Sequence, residues 1–397
     1  METIHHIVLS HSSPNLSGGE KAMLEIVYGI SKRSSEIKQI IHTSESGKNL
    51  FYKLLKEYKL ENRIEFKVVG PALVEKYSEI LAFYLKIPQA LFSLFKFSKG
   101  EHIILSHDGF LPTLIYSWGL YKINKKSRWE AIFHMKSPNI WKGWEGEYTN
   151  RLQIPRLTVI RYKLEEQIFF LMTKKNIKTI ITVNPIYKKF LSNIYDNVIV
   201  IENYGSFNKS NDISQINKNI ELKKKYDLCF MARFHKQKGI FELIDIVKKL
   251  KDTYKKDIRL VVMGGGNIKI ENKFIKQIKD NNLEKNIKYL GYVSSNKKYD
   301  IIRQSKVFVF PSYYESFGYV ILESMQCGVP VVVYDLPPFI VFKDNIIKSP
   351  VLDNNKMVLN VVKLLDNEIY YDNIVKKAIK FSGEMLKDSD ISHYIKL

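Results

Sequence analysis

The chain has 397 residues, 45% hydrophobic and 26% charged, a length that suggests two or three domains and enough apolar material for more than one core, which excludes disorder for most of it. Lysine and arginine number 62 against 41 acidic residues, a formal charge of +21 spread over both halves; this suits nucleotides, nucleic acid or acidic lipid head groups, with a lysine-rich genome bias and solvated lysine faces as the plain alternative. Two cysteines, Cys229 and Cys327, cannot build a disulfide framework or a zinc cluster, no secretory leader is apparent, and no run approaches the ~18–20 apolar residues of a spanning helix, so the expectation is a reduced cytoplasmic protein, with peripheral contact to the cytosolic face of a membrane left open.

In chain order, Ile4–Ser10 reads as an apolar strand, followed by a polar Gly-containing loop and an amphipathic helix near Glu20–Ser31. Further strands are expected at Ile37–His42, Ile64–Val69, Ile103–Ser106, Trp129–His134, Ile177–Thr182 and Val198–Glu202, with helices between them. Lys76–Phe97 is apolar, aromatic, flanked by lysine and interrupted by Pro88. It fits a core helix on the N-terminal sheet, or an interfacial helix pair on anionic lipid. Ile140–Arg156, with Trp141, Trp144, Tyr148 and Arg151, suits an acceptor-side loop.

Tyr204–Lys225 is polar and poor in large apolar residues, as a linker would be. A second series then begins, with strands at Asp227–Met231, Arg259–Met263, Ile287–Leu290, Val307–Phe310 and Pro330–Tyr334. Helices are expected near Gly239–Tyr254, Asn272–Asn282, Tyr299–Gln304 and Val320–Cys327, and the tail from Lys356 is helical and charged. Strand–helix alternation argues for α/β architecture with parallel sheets. The pattern divides into two Rossmann-like halves: residues 1–205, residues 206–370, and a helical tail 371–397 that would pack back on the N-terminal half. In such sheets ligands bind beyond the carboxyl ends of the strands, and two sheets facing one another would hold a substrate between them.

The informative stretch is Phe308–Val333, FVFPSYYESFGYVILESMQCGVPVVV. A strand ends at Pro311, a loop presents Glu315, Gly318 allows close backbone approach, and Glu323 follows inside a helix, eight positions after Glu315. Free N–H groups near Phe317–Val320 would form an anion site, and the two carboxylates would accept hydroxyl hydrogen bonds from ribose or sugar. A bare glutamate pair at this spacing is common on solvated helix faces. In Phe230–Ile240, FMARFHKQKGI, Arg233 offers a planar fork and Lys238 a compact charge for phosphate. A surface basic turn is the plain alternative. Leu260–Gly266 runs a strand into three glycines, Gly291–Val293 follows another strand, and Pro14–Glu20 contains the Gly18-Gly19 pair. His134 ends one strand, and His107 with Asp108 ends another.

The Pro-Ser, Glu-Ser-Phe-Gly and Gly-Val-Pro-Val-Val segments around Glu315 and Glu323 resemble the Glu, seven residues, Glu motif of retaining glycosyltransferases with the GT-B fold, glycosyltransferase family 4 or glycosyl transferases group 1. The resemblance spans most of the chain and is strongest over residues 228–334. It implies a GT-B fold and transfer of a hexose, with retention, from a nucleotide diphosphate sugar to a glycan or lipid-linked glycan acceptor in cell-surface polysaccharide or glycoconjugate synthesis. A uridine diphosphate hexose is favoured over guanosine diphosphate mannose from family breadth alone. The catalytic set it implies is His134, Arg233, Lys238 and Glu315, with His134 preferred to His107 beside the donor sugar. The donor-binding set is Gly18, Gly19, Gly264, Gly265, Val293, Ser316, Phe317, Gly318, Tyr319, Val320 and Glu323. Arg233 and Lys238 would neutralise the leaving diphosphate, so no metal and no cofactor is expected. The partners implied are the nucleotide-sugar donor, the acceptor and an anionic membrane surface, with no nucleic acid.

One departure is Tyr334-Asp335-Leu336-Pro337-Pro338, where many relatives carry a Gly-Gly turn and a further glutamate. The Asp388–Asp390 pair follows no strand and reads as surface, not as a metal site. The rival readings are a basic protein binding nucleic acid or a membrane surface, another GT-B enzyme such as a sugar-nucleotide epimerase, and a catalytically silent subunit of the same fold.

Overall fold

The structure, a computed structural model, describes residues 3–9, 18–57, 59–69, 79–94, 100–138, 156–200, 224–293 and 295–387. They fall into two compact units, the first ending within the described residues at Val200 and the second running from Lys224 to Lys387. Segments 10–17, 139–155 and 201–223, and everything beyond Lys387, lie outside the described residues. With them go most of the Pro14–Glu20 loop, the Ile140–Arg156 loop up to its last residue, most of the Tyr204–Lys225 linker and the Asp388–Asp390 pair.

The first unit is a seven-stranded parallel sheet in the order β3-β2-β1-β4-β5-β6-β7. Its strands are β1 (Thr3–Ile7), β2 (Lys38–Thr43), β3 (Ile64–Val68), β4 (His102–Ser106), β5 (Arg128–Phe133), β6 (Thr179–Thr182) and β7 (Asn197–Val200). Between them run α1 (Gly18–Arg33), α2 (Glu45–Glu57), α3 (Glu79–Ser93), α4 (Leu111–Ile123), α5 (Arg156–Lys174) and the short α6 (Lys188–Ser192). β1 pairs with β2 on one side and β4 on the other, so the strand order reverses there. The apolar segment anticipated at Lys76–Phe97 contains one helix, α3, continuous through Pro88. It packs on α4 and buries Ala90, with Leu94 buried just beyond its end, as a core helix does, while Leu91 and Phe92 are exposed.

The middle of this sheet is unusual in its polar content. His5 Nδ1 lies 2.8 Å from His42 Nε2, and His42 Nδ1 lies 3.1 Å from the Tyr116 hydroxyl. Gln39 donates its amide to the Val27 carbonyl and to Ser31 Oγ, which turns Oε1 toward His6 Nε2 at 3.0 Å. His6 Nε2 therefore carries the proton, and His6 Nδ1 accepts from His107 Nε2 at 2.9 Å. Burial drives the pKa of His5 to about 3 and that of His6 to about 4, and holds His42 and His107 well below the usual range.

The second unit is a six-stranded parallel sheet in the order β10-β9-β8-β11-β12-β13. Its strands are β8 (Tyr226–Met231), β9 (Leu260–Met263), β10 (Ile287–Tyr289), β11 (Ser305–Phe310), β12 (Val331–Tyr334) and β13 (Ile347–Ser349). Helices α7 (Glu242–Asp252), α8 (Ile268–Asp280), α9 (Ser295–Arg303), α10 (Tyr319–Gln326), α11 (Asn354–Asp366) and α12 (Glu368–Lys387) complete it. The central strands are continuous apolar runs because both faces are covered. Val307, Phe308, Val309 and Phe310 are all buried, as are Val331, Val332, Val333 and Tyr334.

The expected elements recur with shifted ends. α7 begins at Glu242, not Gly239, because Gly239 adopts φ +70° after a 3-10 turn over Lys236–Lys238. α8 begins at Ile268 because Asn267 accepts the Lys269 N–H and caps it. β13 and the 3-10 turn Pro337–Phe342 were not anticipated. The helical tail through Lys387 packs on α10 and α11 of its own unit. Among the described residues no helix is long and apolar enough to cross a membrane. Cys229 and Cys327 are free and buried, and burial pushes both thiols up to about 12.

Candidate active site

In the second unit the strand order reverses between β8 and β11, the place where open α/β sheets bind ligands. The loops leaving these two strands carry most of the expected residues. Arg233 lies just after β8 and is exposed. Lys238 sits in the 3-10 turn, and its Nζ lies 2.6 Å from Glu315 Oε1 in the loop after β11. Ser312 Oγ donates to the same carboxylate oxygen at 3.0 Å.

The two loops are tied through their backbones. The Tyr313 N–H donates to the Gln237 carbonyl at 2.9 Å, and the Gln237 side-chain amide donates to the Tyr314 carbonyl at 2.9 Å. Gly239 makes this approach possible. A Cβ there would lie 1.9 Å from the Pro311 carbonyl oxygen. His235 Nδ1 accepts the Gln237 N–H, so the ring is held as an acceptor; burial first, then Arg233 and Lys238, lower its pKa.

Gly318 stands at φ +92° immediately before α10, and Ser316, Phe317 and Gly318 lead the chain into that helix. The first N–H groups of α10, at Tyr319 and Val320, point out along its axis. Glu323 lies in the second turn of α10 and is 3% exposed. Its Oε1 accepts from Lys298 Nζ at 3.0 Å and from the Tyr299 hydroxyl at 3.2 Å, both on α9. Sequence reasoning singled out neither as a site residue, nor Ser312 and Gln237. Nothing local marks Lys298 or Tyr299, because their pairing with Glu323 exists only once α9 packs beside α10.

The glycine turn after β9 closes the same end of the sheet. Gly264 adopts φ +127°, and a Cβ there would lie 1.8 Å from the Ala232 carbonyl oxygen. Phe234 N–H donates to the Gly265 carbonyl at 3.0 Å, which clasps the Arg233 loop. Gly264 N–H in turn donates to the Gly291 carbonyl at 2.8 Å, so the segment reaching Val293 is fixed to the same turn. Arg233, Lys238, Gly264, Gly265, Val293, Glu315 to Val320 and Glu323 therefore share one edge of one sheet. A fork cation, a point cation, helical N–H groups and two carboxylates there can hold a diphosphate flanked by hydroxyl-bearing groups.

In the first unit, Gly18 and Gly19 open α1. A Cβ on Gly19 would lie 3.5 Å from His134 Nε2, so the helix start backs onto that ring. His134 follows β5, and its Nε2–H donates to the His107 carbonyl at 2.7 Å, leaving Nδ1 as an acceptor. Burial lowers its pKa, which makes the ring neutral. His107 is 1% exposed within the sheet, whereas His134 is partly exposed. Asp108 accepts from the Phe110 N–H and the Thr113 hydroxyl at the start of α4. In the departing loop, Tyr334 is buried, stacks on Tyr313 and donates its hydroxyl to Asn354. Among the described residues no group of three or more His, Cys, Asp or Glu side chains has metal-binding geometry.

Residues 212–381 match the model of the glycosyl transferases group 1 family. An uncharacterized glycosyltransferase of Methanocaldococcus jannaschii is 24% identical over 314 residues, 75% of this chain and 75% of its own. An N-acetylgalactosamine-N,N'-diacetylbacillosaminyl-diphospho-undecaprenol 4-alpha-N-acetylgalactosaminyltransferase of Campylobacter jejuni is 31% identical over 163 residues, 41% of this chain and 40% of its own. The crystal structure of Anabaena HepE in complex with UDP and glucose superposes with a TM-score of 0.70 at 14% identity, over 99% of this chain and 97% of its own. That of Staphylococcus aureus TarM with fondaparinux, alpha-GlcNAc-glycerol and UDP gives 0.70 at 14%, over 98% of each chain. The fold is GT-B. The sequence matches support a group 1 glycosyltransferase.

Proposed function

We propose that this chain is a retaining glycosyltransferase that moves a hexose from a nucleotide diphosphate sugar to a glycan or lipid-linked glycan acceptor, without a metal, at the cytosolic face of a membrane. The observation that carries the reading is the convergence of Arg233, Lys238, Glu315, Gly318 and Glu323 at one sheet edge. Arg233 and Lys238 bind the diphosphate and stabilise the charge that develops on it as it leaves. The α10 N–H groups share that role. Glu315 holds donor-sugar hydroxyls, and Glu323, steadied by Lys298 and Tyr299, holds the ribose.

The bond from the sugar anomeric carbon to the phosphate oxygen breaks, and the acceptor oxygen bonds to that carbon on the same face. The acceptor proton passes to the departing phosphate oxygen, and the nucleoside diphosphate leaves. No protein nucleophile enters this scheme. The positive charge that a metal supplies in other transferases comes here from Arg233 and Lys238.

A thermal-shift series with UDP, GDP, ADP and their hexose conjugates, with EDTA and then with magnesium, tests it. A ligand that binds only the folded state raises the melting temperature with occupancy. Selective stabilisation by one nucleotide in EDTA is the expected result and identifies the base. Absence of any shift overturns the donor site, and a shift that needs magnesium overturns metal independence.

A further inference from the structure

Helix α5 is apolar on two opposite faces. One face is in the core, with Val159 and Phe169 at 3% and 2% exposure. The other is in solvent: Leu157 is 81% exposed, Ile160 40%, Leu164 53% and Leu171 75%. At 100° per residue these four fall within one narrow stripe, opposite the buried face. Arg156, Lys163 and Lys174 border the stripe on one side, with Arg161 and Lys175 toward the other. At its C-terminal end a shallow apolar cavity of about 390 Å³ is lined by Gln167, Phe170, Leu171, Lys174 and Lys175.

The helix presents no exposed carboxylate. Glu165 is buried, and both oxygens of Glu166 are engaged, by Ser137 and Lys163. The neighbouring helices also carry exposed apolar side chains: α3 packs on α4 and α4 on α5. They expose Phe92 at 76% and Trp118 at 38%, with Lys122 Nζ 5.9 Å from the Trp118 ring. Exposed apolar surface of this extent marks an interaction site.

The charge decides the occupant. A second copy would bring the same cations against these, with no exposed carboxylate on α5 to meet them. An apolar ridge whose bordering charges are all lysine or arginine is the pattern of a helix lying at a lipid–water interface, where leucine and tryptophan enter the acyl boundary and cations meet phosphate head groups. We propose that the outward face of α5, continued by α3 and α4, seats this protein on an anionic phospholipid bilayer. The proposal deepens the reading of a lipid-linked acceptor by naming the surface that meets the membrane, and its test requires no acceptor.

The test is co-sedimentation of the full chain with vesicles of phosphatidylcholine alone, and with vesicles of equal parts phosphatidylcholine and phosphatidylglycerol, at low and at physiological salt. Binding to the anionic vesicles is expected, weakening with salt as exposed charges are screened. The exposed double variant L164D/L171D should bind at least about tenfold more weakly, and the charge reversal K174E/K175E should lose most of the salt-sensitive part. Melting temperature and stabilisation by UDP, GDP and ADP, measured on the same samples, report whether the fold and the donor site survive. Wild-type protein that stays in the supernatant overturns the proposal. So does variant binding equal to wild type. A wild-type dimer that L164D/L171D converts to monomer, without vesicle binding, assigns the stripe to a second copy instead. Stabilisation by UDP, GDP or ADP, whichever the donor-site screen selects, separates these outcomes from failure of the transferase reading.

Discussion

Glu315 and Lys238 hold one another at 2.6 Å with little exposure, so neither acts alone. On the proposed donor site, Lys238→Ala would remove a charge-assisted bond to the diphosphate, worth about 1.5–3 kcal/mol, and calorimetry should show nucleotide diphosphate affinity falling by roughly 10–100-fold. Glu315→Gln should separate binding from chemistry. Transfer should drop by roughly 10²–10³, while affinity for the nucleotide diphosphate without sugar holds or improves, because Lys238 is released from its partner. Full transfer activity in Glu315→Gln would remove that residue from the mechanism. Both residues were legible in the sequence, because a short motif fixes type, spacing and local geometry together. Lys298 and Tyr299 were not. They reach Glu323 from 25 and 24 positions upstream, by packing of one helix on another, and a lysine beside a tyrosine carries no local signal. His107 shows the same limit. It ends a strand just as His134 does, yet its ring lies inside the sheet against His6.

At the scale of elements, the alternation of strands and helices was legible because a strand covered on both faces must be a short apolar run. What escaped were β13, three residues with a lysine at their centre, and the beginning of α7. The sequence KGIFELI continues a helical pattern back to Gly239, but tertiary contact overrides it: that glycine must turn left-handed to let Pro311 approach. Gly239→Ala combines a strained φ, costing about 1–3 kcal/mol, with a direct backbone clash. Gly291→Ala is the control. Its φ of +66° imposes strain, but nothing lies within 4 Å of the added carbon, so the cost should stay near ~1–2 kcal/mol. Thermal unfolding followed by far-UV circular dichroism should therefore show the larger fall in Gly239→Ala. Equal falls would mean that the Pro311 contact does not constrain the turn. The outward stripe of α5 was missed for a related reason. A helix apolar on two faces has no single polar side, so its pattern does not distinguish core from interface.

For the whole molecule, two parallel sheets follow from the repeated pattern, but their interiors differ in a way no periodicity reveals. The first unit buries histidines on β1, β2 and just after β4, all neutral; the second has His235 alone among its described residues. His6 cannot take a proton without loss, because Nε2 already donates to Gln39 and Nδ1 accepts from His107. Their folded pKa values lie below the unfolded value of about 6.5, so at lower pH the unfolded chain binds protons that the native state refuses. Stability is complete above about pH 6.5 and falls as pH drops toward the folded values, about 3 for His5 and about 4 for His6. At pH 5 these two residues alone cost ~2 kcal/mol each, with His42 and His107 adding in the same direction. The loss belongs to the first unit, and the chain supplies its own probe: all four tryptophans, at 118, 129, 141 and 144, precede the second unit's described residues. Urea unfolding followed by tryptophan emission should move to clearly lower midpoints between pH 7 and pH 5. Over the same range the part of the circular-dichroism transition not shared with emission should hold nearly constant. A tryptophan midpoint that does not move with pH would show that the histidines are protonated in the folded sheet, and that the relay from Gln39 through His6 to His107 does not exist as drawn.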